Sequence, residues 1–309
     1  MKLSPRTAIR RAWQRVLLEA AAATKLLLPI TGEVAFKRRA KAPVGSTPAR
    51  ARIRTELLLG DTSRFEHKLV VIVGAGALGS RRIALARMFL VTLGFVDDDT
   101  VSASNTSRGT FTKADIGGLK ALQMVKQLAS LATGAVGEGY PVSFARFIKH
   151  NASRRPSLVI AVPDNDRARL DAAWWAASFE PPVPLILAGT NKQAGYVLAT
   201  DLVSGPCPWC ALDQLNGQPE EHTAQAPCGA WADLSELASS RVVSIAIELL
   251  DGSKPSVALE QVFIEAPSAE LAVASRSDCM HCGTSLAPAP SLAPPPLASE
   301  PTQQRSFEL

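Results

Sequence analysis

The run Leu69-Val70-Val71-Ile72-Val73, followed at once by Gly74-Ala75-Gly76-Ala77-Leu78-Gly79, constrains this chain more than any other feature. Five consecutive apolar, mostly β-branched residues suit a strand buried on both faces of a parallel sheet, because a half-exposed strand would alternate in polarity. The glycines fit G-x-G-x-x-G between that strand and a helix expected from Ser80 to about Phe89. A second buried run, Val91 to Val96, closes on Asp97, and Ser157 to Val162 and Leu185 to Ala188 read as further strands. Lys120 to Leu131 reads as a helix. So does Leu234 to Leu250, with Val242, Ile245, Ala246 and Leu249 on one face. Strands alternating with helices predict an α/β fold: a doubly wound, Rossmann-like, mostly parallel sheet with helices on both faces. Such sheets bind ligands at the carboxyl ends of their strands, where Gly74, Asp97 and Asp164 all fall.

Charge divides the chain. Residues 1–54 hold 13 Lys and Arg against two acids, leaving 20 against 26 for the rest of the 309 residues. Residues 1–52 are read as a basic helical arm and linker. Ser4-Pro5 opens an amphipathic helix carrying Ile9, Trp13, Val16, Leu17, Ala20 and Leu27, Pro29 ends it, and residues 37–52 read as linker or mobile loop. The arm packs on its own body or a twin subunit, or else meets an acidic protein or a nucleic acid. No aromatic residues are interleaved with these charges as single-strand binders require, so a nucleic-acid partner is not expected. Residues 284–309 are rich in Pro and Ala and are expected to be disordered. A membrane-spanning helix needs about 18–20 apolar residues. The best run, Leu69 to Gly79, stops short of that before Arg81. Without a signal peptide either, a reducing, cytoplasmic setting is expected.

The glycine loop allows a tight turn and close backbone approach to phosphate, and the following helix offers unpaired N–H groups. Asp97 lies where a carboxylate accepts hydrogen bonds from ribose hydroxyls. A nicotinamide enzyme is the first thought, and a glycine turn with no ligand the plainest one. The following residues favour a polyphosphate. Asp97-Asp98-Asp99-Thr100-Val101-Ser102 leads to Asn105 and Arg108, Lys120 sits in Asp115-Ile116-Gly117-Gly118-Leu119-Lys120-Ala121, and Asp164-Asn165 ends a later strand. The cations steady phosphates and Asp164 offers oxygen ligands to Mg²⁺. Taken singly, Arg108 and Lys120 read equally as solvated charges and Asn105 as a turn residue.

Cys207-Pro-Trp-Cys210 and Cys279-Met-His-Cys282 form two C-x-x-C knuckles whose four thiolates suit a tetrahedral structural Zn²⁺ that ties the C-terminal segment to the body. Disulfides fit a reducing compartment poorly, and His281 reads as a bystander. The fifth cysteine, Cys228, lies in Ala226-Pro227-Cys228-Gly229, between a polar stretch and the Leu234 helix. It reads either as a nucleophile, favoured by the helix N-terminus downstream, or as a packed small hydrophobe.

Together, Gly74-Ala75-Gly76-Ala77-Leu78-Gly79-Ser80, D-x-D-T-V-S-x-S-N-x-x-R over 97–108, the Lys120 motif and Asp164-Asn165 resemble the ubiquitin-activating-enzyme superfamily. The likeness is to its compact bacterial MoeB/ThiF/HesA adenylyltransferases, and it runs over about residues 52–283. It implies an adenylation domain over 53–283 in which Gly74, Ala75, Gly76 and Gly79 cradle ATP. Asp97 then holds the ribose, Asp99 sits beside the phosphates, Asn105, Arg108 and Lys120 contact the triphosphate, and Asp164 binds magnesium. The implied reaction activates the C-terminal glycine of a small ubiquitin-like or sulfur-carrier β-grasp protein as an acyl-adenylate. In some members a cysteine placed as Cys228 then receives the acyl group, which opens the way to a downstream thiol-carrying partner. The four-cysteine zinc site after Gly205-Pro206 also matches. Members are usually homodimers with an N-terminal arginine reaching the neighbour's site. Arg54 is the best match here and Arg52 its rival, although the usual R-Y-x-R-Q signature is absent. Alternatives are adenylation of a peptide or tRNA-linked carboxylate on the same fold, a nicotinamide dehydrogenase with structural zinc, and a non-catalytic scaffold.

Overall fold

The computed structural model describes residues 38–41, 63–81, 91–130, 135–190, 194–203, 207–216, 232–253, 259–263, 268–279 and 282. Arg52, Arg54, Cys228, His281, the expected arm helix, the tail and most of the helix expected after Ser80 lie outside these residues. Among the described residues nine strands are found: β1 (Arg38–Lys41), β2 (Leu69–Val73), β3 (Thr92–Val96), β4 (Val136–Tyr140), β5 (Leu158–Ala161), β6 (Leu185–Thr190), β7 (Ala194–Thr200), β8 (Leu259–Phe263) and β9 (Ala269–Glu270). They form one sheet in the order β1-β4-β3-β2-β5-β6-β7-β8-β9. Strands β4-β3-β2-β5-β6 run parallel, and β7, β8 and β9 continue the sheet antiparallel beyond β6. The fold class expected from sequence is the one observed.

Side-chain alternation along the buried strands makes two cores. Val70 and Ile72 of β2 face one layer, built by α2 (Lys120–Ser130) and α6 (Ala232–Leu250). Leu69, Val71 and Val73 face the other, built by α3 (Phe144–Asn151), α4 (Asp166–Ala177) and α5 (Pro208–Asn216). Every residue of β2 is buried, which explains its unbroken apolar run.

Arg38–Lys41, inside the stretch expected to be linker, pairs antiparallel with β4 from Arg38 opposite Gly139 to Lys41 opposite Val136. The linker reading fails for these four residues. They form the edge of the sheet, a position where a basic composition is no bar to a strand.

The chain leaves β2 toward β3 and β4 on one side, then returns to place β5 on the other side of β2. That reversal opens a crevice above the carboxyl ends of β2 and β5.

A candidate nucleotide site at the strand ends

Gly74 follows β2 with φ +87°, a region that costs other residues strain, and a Cβ there would lie 2.9 Å from the Pro163 nitrogen. Only glycine lets the loops after β2 and β5 lie this close. Gly76 is the N-cap of the short helix α1 (Ala77–Ser80), with Ser80 N–H on its carbonyl at 2.9 Å. Gly79 packs α1 onto the loop, since a Cβ on it would sit 1.8 Å from the Gly74 carbonyl oxygen. At Gly76, by contrast, a Cβ would meet nothing within 4 Å, and its φ is an ordinary −71°. Neither packing nor backbone strain demands glycine there, and the bare backbone faces the crevice.

The crevice is a cavity of about 470 Å³. Gly74, Gly76, Asp97, Asp99, Asn105, Arg108, Lys120 and Asp164, all singled out from sequence, line it together. Ala75 stands just behind, its N–H donating to Asp97 Oδ2 at 2.6 Å, while the Asp99 N–H donates to Asp97 Oδ1 at 2.9 Å. Burial pushes the Asp97 carboxyl above its ordinary range, against the pull of the Ala75 N–H and the Lys120 charge. Lys120, almost fully buried at the start of α2, holds Asp99 Oδ2 at 2.7 Å. Its own backbone N–H donates to the Asp99 carbonyl at 2.9 Å. The cation is thus aimed at the rim by two contacts and meets an exposed carboxylate that a phosphate can displace.

Asn105 and Arg108 are positioned by a 3₁₀ turn over Ala103–Ser107 closed by a capping box, in which Asn105 Oδ1 accepts the Ser102 N–H at 2.8 Å. Asp115 closes a second such turn, accepting the Thr112 N–H and hydroxyl at 2.8 and 2.9 Å, and so fixes the approach to Lys120. Burial pulls the Asp115 carboxyl up, but these two hydrogen bonds, with the Lys126 charge and the Gln127 amide, outweigh it and leave the group below its ordinary value. Asp164 is exposed at the mouth, and Asn165 caps α4 by accepting the Ala168 N–H at 2.8 Å.

The carboxylates of Asp97, Asp98 and Asp99 lie within 4.8 Å of one another, and Asp164, outside that group, lines the same cavity; carboxylate oxygens are the donors that a hard divalent cation prefers. The donor set therefore fits Mg²⁺, and the rim cations with the open Gly76 fit a polyphosphate.

The sequence reading missed the part of the cavity beyond Asp164: Arg167, Arg169 and Asp171 of α4, and Gly189 and Thr190 at the end of β6. The Asn165 cap, an N-terminal signal directly after a buried strand, would have placed α4 there.

Around the start of α5, the Sγ atoms of Cys207, Cys210, Cys279 and Cys282 lie within 4.8 Å of one another, with Cys207–Cys279 at 3.8 Å and Cys210–Cys282 at 3.3 Å. A tetrahedral ion with bonds of about 2.3 Å sets its sulfurs roughly 3.8 Å apart, so the group fits zinc. The backbone N–H groups of Trp209 and Cys210 face the Cys207 sulfur, and that of Arg276 faces Cys210. Burial and the neighbouring thiols push Cys210 up to about 11, and Cys207 also upward. A central dication reverses that balance by stabilising the thiolates.

The ThiF family model matches residues 51–282. The chain belongs to the ThiF family. Membership of this family supports ATP-dependent adenylation of a carboxylate over the dehydrogenase reading. Among solved structures, E. coli MccB with ATP shares 15% identity and a TM-score of 0.59, over 72% of this chain and 68% of MccB. A structure of the microcin C7 biosynthetic enzyme MccB with N-formylated MccA gives the same 15% and 0.59, over 72% and 69%. PaaA shares 15% identity and a TM-score of 0.61, over 86% of this chain and 96% of PaaA. No curated protein matches the chain. Among the described residues no helix is long and apolar enough to cross a membrane.

Proposed function

We propose that this ThiF-family protein adenylates the C-terminal glycine of a small ubiquitin-like or sulfur-carrier protein. One observation carries the reading: eight residues from separate segments of the chain converge on a single cavity at the sheet's switch point. In the reaction a carboxylate oxygen attacks the α-phosphorus of ATP, the α–β phosphoanhydride breaks, and pyrophosphate leaves with the bonding electrons. The acyl-adenylate remains. The glycine loop cradles the phosphates, Asp97 holds the ribose, and Asn105, Arg108 and Lys120 offset the triphosphate charge. Mg²⁺, held at Asp164, supplies further neutralisation of the phosphates. Asp99 yields Lys120 to the nucleotide.

Cys228 then takes the acyl group, its thiolate attacking the acyl carbon to form a thioester as AMP leaves. Its place in the sequence, just before α6, supports this step. Zinc at Cys207, Cys210, Cys279 and Cys282 is structural. The protein acts as a homodimer in the cytoplasm, Arg54 (or Arg52) reaching the neighbouring site, with a thiol-carrying protein downstream. The domain limits are 1–52 for the arm, 53–283 for the adenylation domain and 284–309 for the tail. A second reading, activation of a peptide instead of a β-grasp protein, is kept in view by the likeness to MccB, solved with MccA.

Pyrophosphate exchange tests this. Purified protein with Mg·ATP is given a glycine-ending small protein encoded beside its gene, the same protein with an amidated terminus, or peptides. Exchange that needs the free glycine carboxylate is expected. Exchange with peptides alone moves the substrate to the second reading, and no exchange with any carboxylate overturns adenylation.

A further inference from the structure

We propose that Trp209, which lies between the first two knuckle cysteines, is a positioning residue for the nucleotide cavity: it braces α4, so that metal occupancy at the knuckle sets nucleotide affinity. The inference rests on the nucleotide reading above.

The observation is a single aromatic contact between two parts of the molecule with different chemistry. The Trp209 ring lies 4.7 Å from the Trp174 ring, centroid to centroid, with 59° between their planes. Trp209 sits in the first turn of α5 with Cys207 and Cys210 on either side of it, so an ion bound by both sulfurs fixes the backbone that carries the ring. Trp174 belongs to α4, whose N-terminal end faces the cavity.

Helical periodicity gives the contact its reach. Arg167, Asp171 and Trp174 stand at i, i+4 and i+7 and share one face of α4. Arg167 Nε pairs with Asp171 Oδ1 at 3.0 Å, and both residues line the cavity. The face that looks into the cavity therefore continues about 10 Å along the helix to the ring that Trp209 touches.

A second anchor shows why losing this one matters. Trp175, the next residue, is fully buried among Phe144, Phe147 and Phe179 at 5.8, 5.6 and 5.4 Å. With Ala172, Ala173 and Ala176 it holds α4 to the core, and Trp174 against Trp209 holds the adjacent side, next to the knuckle. Ala172, Ala173 and Ala176 keep α4 on the core when Trp209 is lost, so the expected effect is a small shift of its cavity-facing side, which carries Arg167 and Asp171, and not a detachment of the helix.

The test uses the full-length, zinc-loaded protein with Trp209→Ala, Trp209→Phe and Trp174→Leu. Zinc content and melting temperature are recorded first, then Mg·ATP affinity by calorimetry. All variants are expected to retain one zinc. Trp209→Ala and Trp174→Leu are expected to weaken Mg·ATP by about three- to tenfold, the range of an aromatic pair, and Trp209→Phe to restore it to within about twofold. Stripping the zinc is expected to weaken Mg·ATP in the wild type but not further in Trp209→Ala. Trp174→Leu leaves the knuckle untouched, so it carries the test if Trp209→Ala loses zinc. Wild-type affinity in Trp174→Leu, or additive losses from stripping and Trp209→Ala, overturns the inference alone. A wild-type protein that binds no Mg·ATP overturns the nucleotide reading and this inference with it.

Discussion

The rim of the parallel strands and the cysteine knuckle beside the antiparallel strands assemble their groups in opposite ways. At the rim, the lining residues lie at strand ends, in a 3₁₀ turn or at a helix start, and backbone geometry aims them: Gly74 by its positive φ, Asn105 by its capping box, Lys120 by its place at the start of α2. At the knuckle, Cys210 lies in the first turn of α5 and Cys207 just before it, while Cys279 and Cys282 follow β9 in the chain. Side-chain bonds to α5 hold the segment after β9 down: Gln214 Nε2 to the Ala272 carbonyl at 3.0 Å, and Arg276 to Asp213. A site fixed by backbone loses its chemistry, not its fold, when a side chain is removed. A site fixed by cross-linking loses fold first.

The sharpest break of this contrast comes at the rim cations. Lys120→Ala or Arg108→Ala is expected to lower pyrophosphate exchange by at least about 100-fold while the circular dichroism spectrum stays unchanged. Near-normal exchange removes these residues from the mechanism. Smaller is the divergence between two loop glycines. Gly79→Ala drives a Cβ into the Gly74 carbonyl and is expected to cost about 1–3 kcal/mol in denaturant titration. Gly76→Ala has open space and is expected to melt as wild type yet bind nucleotide about tenfold more weakly. Equal stability losses would erase the assignment of Gly76 to the ligand. Zinc chelation is expected to lower the melting temperature on the order of 10 °C, and an unchanged melt after complete metal removal contradicts a structural knuckle.

The smallest effect concerns Asp115. Its carboxyl lies below its ordinary value when folded, so the stability it adds is present above the ordinary value of 3.8 and is lost as pH falls through the lower folded value. Asp115→Asn is expected to melt about 2–4 °C lower at neutral pH and to narrow the gap to wild type at the acid end of a melting series. A gap that widens with acid refutes that sign.

The parallel core was legible because doubly buried strands must be continuously apolar. Expected and observed bounds for β2, β3, β5 and β6 differ by at most two residues at either end. β4 was not legible, and its residues show why. Glu138 is buried, satisfied by the Tyr140 hydroxyl at 2.6 Å and by Arg154, while Gly137 and Gly139 let α2 approach so closely that a Cβ on either would meet it at 2.9–3.0 Å. Val-Gly-Glu-Gly-Tyr carries no strand pattern, because these side chains answer to partners elsewhere in the chain. β1 was hidden for the same reason, its pairing being supplied by β4. Of the site, the contiguous motifs were readable, whereas Arg167, Arg169 and Thr190 reach the cavity only through the path of α4 and β6.

The central claim is that the rim cavity takes Mg·ATP through Lys120. Calorimetric titration of wild type and Lys120→Ala with Mg·ATP, and with NADH as the competing ligand, tests it in one experiment. The account predicts saturable Mg·ATP binding by the wild type, at least about tenfold weaker binding by Lys120→Ala, and no heat from NADH. NADH binding with Mg·ATP ignored, or Mg·ATP binding indifferent to Lys120, contradicts it.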